Sequence, residues 1–113
     1  MAKTLNFTSA PKRYLTVILA DEENTKLLVS MPTRAVMRQF FTIQEQLSGV
    51  EGADVSVDLM GDLYAVCAAA LSRNKAGVQI EPETLEELFG LDDIMLFFDA
   101  YLDFVGEAAA SKN

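Results

Sequence analysis

Histidine is absent from this chain, and cysteine occurs once, at Cys67. The first absence removes the commonest general base and the commonest metal ligand. The second rules out a disulfide framework and a thiolate metal site. Cys67 lies in VCAAAL, where a thiol packs as a small buried apolar group. Long hydrophobic runs are also missing, so no membrane-spanning helix of about 18–20 residues is expected. Met1-Ala2-Lys3 leads into polar residues and not into the apolar stretch of a signal peptide. These absences predict a soluble, cytosolic protein.

Basic residues are scarce in one third of the chain. Residues 76–113 carry nine acidic side chains and one basic one, whereas residues 1–50 carry six basic and four acidic. Nucleic acid is a poor partner for such a protein, because its phosphates meet the acidic third. The asymmetry suits a basic or amphipathic protein partner, or contact between copies. It also serves to keep an apolar-rich chain in solution.

What is present is a large apolar complement, 50% of 113 residues, enough to build one domain with a real core. The richest stretch is Asp92 to Val105, DDIMLFFDAYLDFV. Ile94, Phe97, Phe98, Tyr101 and Val105 recur on one helical face, and Met95, Leu102 and Phe104 widen it. Gly106 reads as its end, and the chain reads as organised around it.

Earlier in the chain, Tyr14–Leu19 alternates as a strand with Leu15, Val17 and Leu19 on one side, and Thr4–Thr8 offers a weak edge strand. Asp21–Asn24 is a polar turn, with Asn24 suited to a left-handed position. Lys26–Met31 returns as a second strand, giving a hairpin. Thr33 caps a helix to about Leu47, with Val36, Met37, Phe40, Phe41, Ile43 and Leu47 as its buried stripe. Asp54 reads as the cap of the next helix, which buries Leu59, Leu63, Val66, Ala70 and Leu71 and stops at Arg73-Asn74-Lys75-Gly77. Pro82 opens a short helix, for which Glu81 competes as cap with a Thr84/Glu87 capping box. The expected fold is α+β: an N-terminal β-hairpin followed by three or four packed helices, in one domain over 1–113 with 1–12 and 108–113 flexible.

No catalytic pattern stands out. Asp58/Asp62 and Asp99/Asp103 share helical faces, but each pair falls on a polar side where solvated charge is expected. There is no EF-hand ligand series, glycine-rich phosphate loop or nucleophile elbow. No cofactor or metal is expected. A small acidic binding protein is the reading left.

The order of elements carries a resemblance. A two-strand start runs into PTRAVMRQFFTIQEQL, then DLMGDLYAVCAAALSRNK, then VQIEPETLEELFGLDDIMLFFDAYLDF. Over residues 14–105 this resembles the tail assembly chaperone family of long-tailed bacteriophages (siphophage type). The resemblance implies a non-enzymatic protein of the host cytoplasm, absent from the mature virion. It further implies binding and solubilising of the tape measure protein and recruitment of tail tube subunits. That family offers no catalytic residue to carry over. The helix reading supplies the protein-binding positions Met95, Leu96, Leu102 and Phe104, and a homo-oligomer is expected. The resemblance also implies a longer product made by ribosomal slippage, for which Ser111-Lys112-Asn113 has a suitable coding potential. The competing reading is a small acidic adaptor or regulatory module for a basic protein.

Overall fold

The hairpin comes first. β1 (Tyr14–Ile18) and β2 (Lys26–Ser30) pair antiparallel, with Leu15 opposite Val29 and Val17 opposite Leu27. Four helices follow: α1 (Arg34–Ser48), α2 (Val57–Leu71), α3 (Pro82–Leu88) and α4 (Leu91–Ala110). This computed structural model describes residues 13–19, 21–49 and 56–110. The chain is thus α+β and helix-dominated, with the hairpin at the N-terminal side. The Thr4–Thr8 strand, the cap at Asp54 and the Ser111-Lys112-Asn113 ending lie outside the described residues.

Local signals account for most boundaries. Asn24 turns the hairpin with φ 51°, and the Asp21 carboxylate accepts from both the amide and the hydroxyl of Thr25. Those bonds, the hydroxyl's first, hold the Asp21 carboxyl below the ordinary carboxylate range. Thr33 caps α1 through the Val36 amide, at 3.3 Å. Ser56 caps α2 through the Leu59 amide, at 3.0 Å, a place the sequence reading gave to Asp54. Glu81 stands at the N-cap of α3 without a side-chain bond; Pro82 sets the first turn, and the Thr84 capping box does not form. α4 runs through Gly106 to Ala110, past the expected stop and through the start of the segment expected to be flexible. A glycine without a following break weakens a helix by only about 1 kcal/mol.

The centre of the molecule is α2, not α4. It packs against α1, α3, α4 and β2, and buries Leu59, Leu63, Tyr64, Val66, Cys67, Ala68, Ala70 and Leu71. Small side chains on it let neighbours approach. α4 closes the core from one side with Ile94, Phe98 and Tyr101, all buried. Phe40 of α1 stacks on Phe98 at 4.9 Å and meets Tyr101 at 5.1 Å. The Tyr101 hydroxyl donates to the Ser30 carbonyl at 3.0 Å, tying α4 to β2. Phe41, expected in the α1 stripe, is 51% exposed.

Burial also makes stability depend on pH at the alkaline end. It pushes the Cys67 thiol up to about 12 and the Tyr101 phenol up to about 12, where the nearby Arg73 guanidinium opposes the rise. Both groups ionise more readily when unfolded, so the unfolded chain binds fewer protons above its own pKa values. Their contribution is fully present below pH 9 and is lost as pH rises towards 12. Urea titrations at stepped pH will show stability falling over that window, and a Cys67→Ala/Tyr101→Phe double variant will show a shallower fall. An unchanged slope in the double variant would remove these groups as the cause.

Candidate functional site

Alternation in β1 sends Leu15, Val17 and Leu19 towards the helices and leaves Thr16 and Ile18 exposed. α4 lies beyond, and along its length Asp93, Leu96, Phe97 and Ala100 follow the three- and four-residue spacing of one flank. Between this flank and β1 is an open groove of about 370 Å³. Leu15, Val17, Leu19, Leu71, Phe89 and Phe97 give it an apolar lining, and Asp93 is the charged residue in its wall. Phe89 is held there by the α3–α4 joint: its carbonyl accepts from the Tyr64 hydroxyl at 2.8 Å.

One side of this groove is a strand edge. The Leu19 amide donates to the Thr25 carbonyl at 2.8 Å, so with the strand register the bonded pairs are Leu19–Thr25, Val17–Leu27 and Leu15–Val29. Tyr14, Thr16 and Ile18 therefore carry their N–H and C=O groups on the outer side of β1. The corresponding outer side of β2 is closed. Ser30 donates to the Arg73 carbonyl at 2.8 Å, and Leu28 accepts from the Lys75 amide at 2.9 Å. Among the described residues nothing pairs with the outer edge of β1.

The four positions taken from the sequence do not form one surface. Leu96, 70% exposed, stands on the groove wall. Phe104 follows Phe97 on the same flank of α4, two turns along, but is half-buried and its ring lies 6.1 Å from Tyr101. Met95 and Leu102 share the opposite flank, and both pack against the core. Sequence reasoning missed Phe89, Leu71 and Ala100 as groove residues. The spacing of Asp93, Phe97 and Ala100 was the available signal, but only the placement of β1 makes that row a wall.

A second depression, about 340 Å³, lies between α1 and α2 and is lined by Arg38, Gln39, Thr42, Gln46 and Asp62 among others. Ile43, Ala65 and Val66 complete the lining, so the cleft is of mixed character, and its charged and amide side chains interrupt the apolar surface. Asp58, Asp62, Asp99 and Asp103 are all exposed. Among the described residues no cluster of His, Cys, Asp or Glu is arranged to hold a metal ion, and no helix is long and apolar enough to cross a membrane. Comparison with known proteins finds no family model, no curated protein and no solved structure that matches this chain.

Proposed function

We propose that this chain is a non-enzymatic assembly chaperone that shields apolar segments of a client, and that the client is the tape measure protein of a bacteriophage tail. The observation that carries the binding reading is the open apolar groove between β1 and α4, with Leu96 exposed at its rim. An amphipathic helix fits such a groove through apolar anchors spaced along one face. Charge favours a client with basic flanks: Asp93 is in the wall, and Asp92, Asp99 and Asp103 are exposed on the same helix. The choice of tape measure protein, the recruitment of tail tube subunits and the setting in the host cytoplasm rest on the family resemblance.

Co-expression tests this reading. A tape measure protein that is insoluble alone will be found in the soluble fraction with the unaltered chain. A Leu96→Asp variant will bind it at least about tenfold more weakly, since one leucine buried is worth about 1.5 kcal/mol or more. Leu102→Asp and Phe104→Asp are poorer probes, because both side chains pack on the core and their loss also destabilises the fold. Unchanged solubility, or full binding by the folded Leu96→Asp protein, would overturn the proposal. The exposed acids of α3 and α4 support a second reading, an adaptor for a basic protein. In that case binding falls steeply with salt and ignores Leu96.

A further inference from the structure

The outer edge of β1 and the apolar groove beside it form one surface. A strand edge that no described residue covers invites pairing, and a two-stranded sheet gains from a third strand. The described chain starts at Arg13, at the near end of that edge, with twelve residues upstream. We propose that residues Thr4–Thr8 pair antiparallel with the outer edge of β1 as a third strand, and that Leu5 and Phe7 fill the groove between β1 and α4.

Four observations fix this occupant. The first is length. If Thr8 pairs with Tyr14, residues 9–13 form a five-residue loop, within the common range for hairpins, and Pro11 falls inside it, where its missing N–H costs nothing. The second is register. The outward backbone groups belong to Tyr14, Thr16 and Ile18, so the bonded partners are Thr8, Asn6 and Thr4. Phe7 then stands opposite Leu15 and Leu5 opposite Val17, in the non-bonded pairs where side chains come closest. Directly opposed residues share a face, so both apolar side chains join Leu15 and Val17 on the groove side. Thr4, Asn6 and Thr8 join the exposed Thr16 and Ile18. A slip of one residue would reverse every side chain and expose both anchors.

Charge is the third. Residues 1–20 contain Lys3, Lys12 and Arg13 and no acid, while the facing wall carries Asp93 beside Asp92. The fourth is the tether itself, which gives the segment an effective concentration in the millimolar range. A separate peptide or second copy has to compete with that. The inference stands without the chaperone reading. Taken together with it, the segment is a built-in competitor that a client must displace.

Amide exchange and nuclear Overhauser contacts in the full chain, free of any client, test it. Thr16 and Ile18 amides will exchange at least about tenfold more slowly than unprotected ones. Close Hα–Hα contacts will join Phe7 to Leu15 and Leu5 to Val17. In a Leu5→Asp/Phe7→Asp variant the Thr16 and Ile18 amides will lose protection, while Val17 and Leu19, bonded to β2, stay slow. Three results would overturn the proposal. One is fast exchange at Thr16 and Ile18 in the unaltered chain, and another is absence of both Hα–Hα contacts. The third is protection that survives the double variant or rises with protein concentration, since that assigns the edge to a second copy. The Hα–Hα contacts need no variant, so they decide even where the double variant unfolds.

Discussion

Phe40→Ala will destabilise the protein by about 3–5 kcal/mol, among the largest losses expected of a single core truncation. Phe40 is fully buried, and its ring is the link between α1 and α4 through Phe98 and Tyr101. Removing it leaves a cavity between two helices whose backbones are held elsewhere, α1 by α2 and α4 by both α2 and the Tyr101–Ser30 bond. Collapse into the space is therefore incomplete, and the cavity cost adds to the lost burial. Total stability for a small domain is about 5–15 kcal/mol, so a large fraction disappears. The neighbouring Phe41→Ala is the control. That ring is half exposed, and its removal will cost about 0.5 kcal/mol or less. Thermal melts of both variants decide the point: Tm falls by about 12 °C or more for Phe40→Ala and barely moves for Phe41→Ala. Equal shifts would mean that the aromatic link is not the one described.

Asn74→Ala is the second large effect, at about 2–4 kcal/mol, and its origin is polar. The side-chain amide of Asn74 is buried and donates to the Leu71 carbonyl at 2.8 Å and the Val78 carbonyl at 2.7 Å. Its oxygen accepts from the Val78 amide at 2.9 Å. Ser72 works beside it, accepting from the Ile80 amide at 2.9 Å, and Gly77 supplies a φ of 74° that other residues resist. Together they turn the chain from α2 back towards α3. The same turn covers β2 through its bonds to Ser30 and Leu28. Alanine removes the side-chain partner of three backbone groups, and of the three bonds the one to Leu71 is the most buried. Asn74→Asp is the sharper test. A carboxylate still accepts from Val78 but faces two carbonyl oxygens, so the folded state favours its protonated form. The raised pKa means that the Asp variant's deficit relative to the unaltered chain is smallest below pH 4 and grows as pH rises towards 7. Urea denaturation of both proteins at pH 4 and pH 7 measures it. A deficit independent of pH would show that the amide hydrogens are not the groups that matter.

Periodicity alone carried the elements of this fold. The alternation in Tyr14–Leu19, the cap at Thr33, the first-turn Pro82 and the turn at Asn24 are local effects, decided by a few neighbouring residues. They were legible for that reason. Ile94, Phe98 and Tyr101 were also recognisable as a buried face, because a helix repeats its direction every three or four residues.

Tertiary structure decided what that face meets. α4 has the more conspicuous aromatic content, yet α2 is central. Several alanines and Cys67 let elements pack closely around it, and small side chains give only a faint apolar signal in sequence. The same limit governs the candidate site. Met95, Leu96, Leu102 and Phe104 looked alike as apolar positions outside the main stripe. Only the position of β1 assigns Leu96 to an open groove wall and leaves Met95 and Leu102 on the other flank. Burial is a property of two surfaces, and a sequence describes one at a time. The charge imbalance between the first and last thirds was fixed by the sequence. The placement of Asp93 in a groove beside an edge strand was fixed by packing, because helix rotation and strand register are set by contacts distant in the chain.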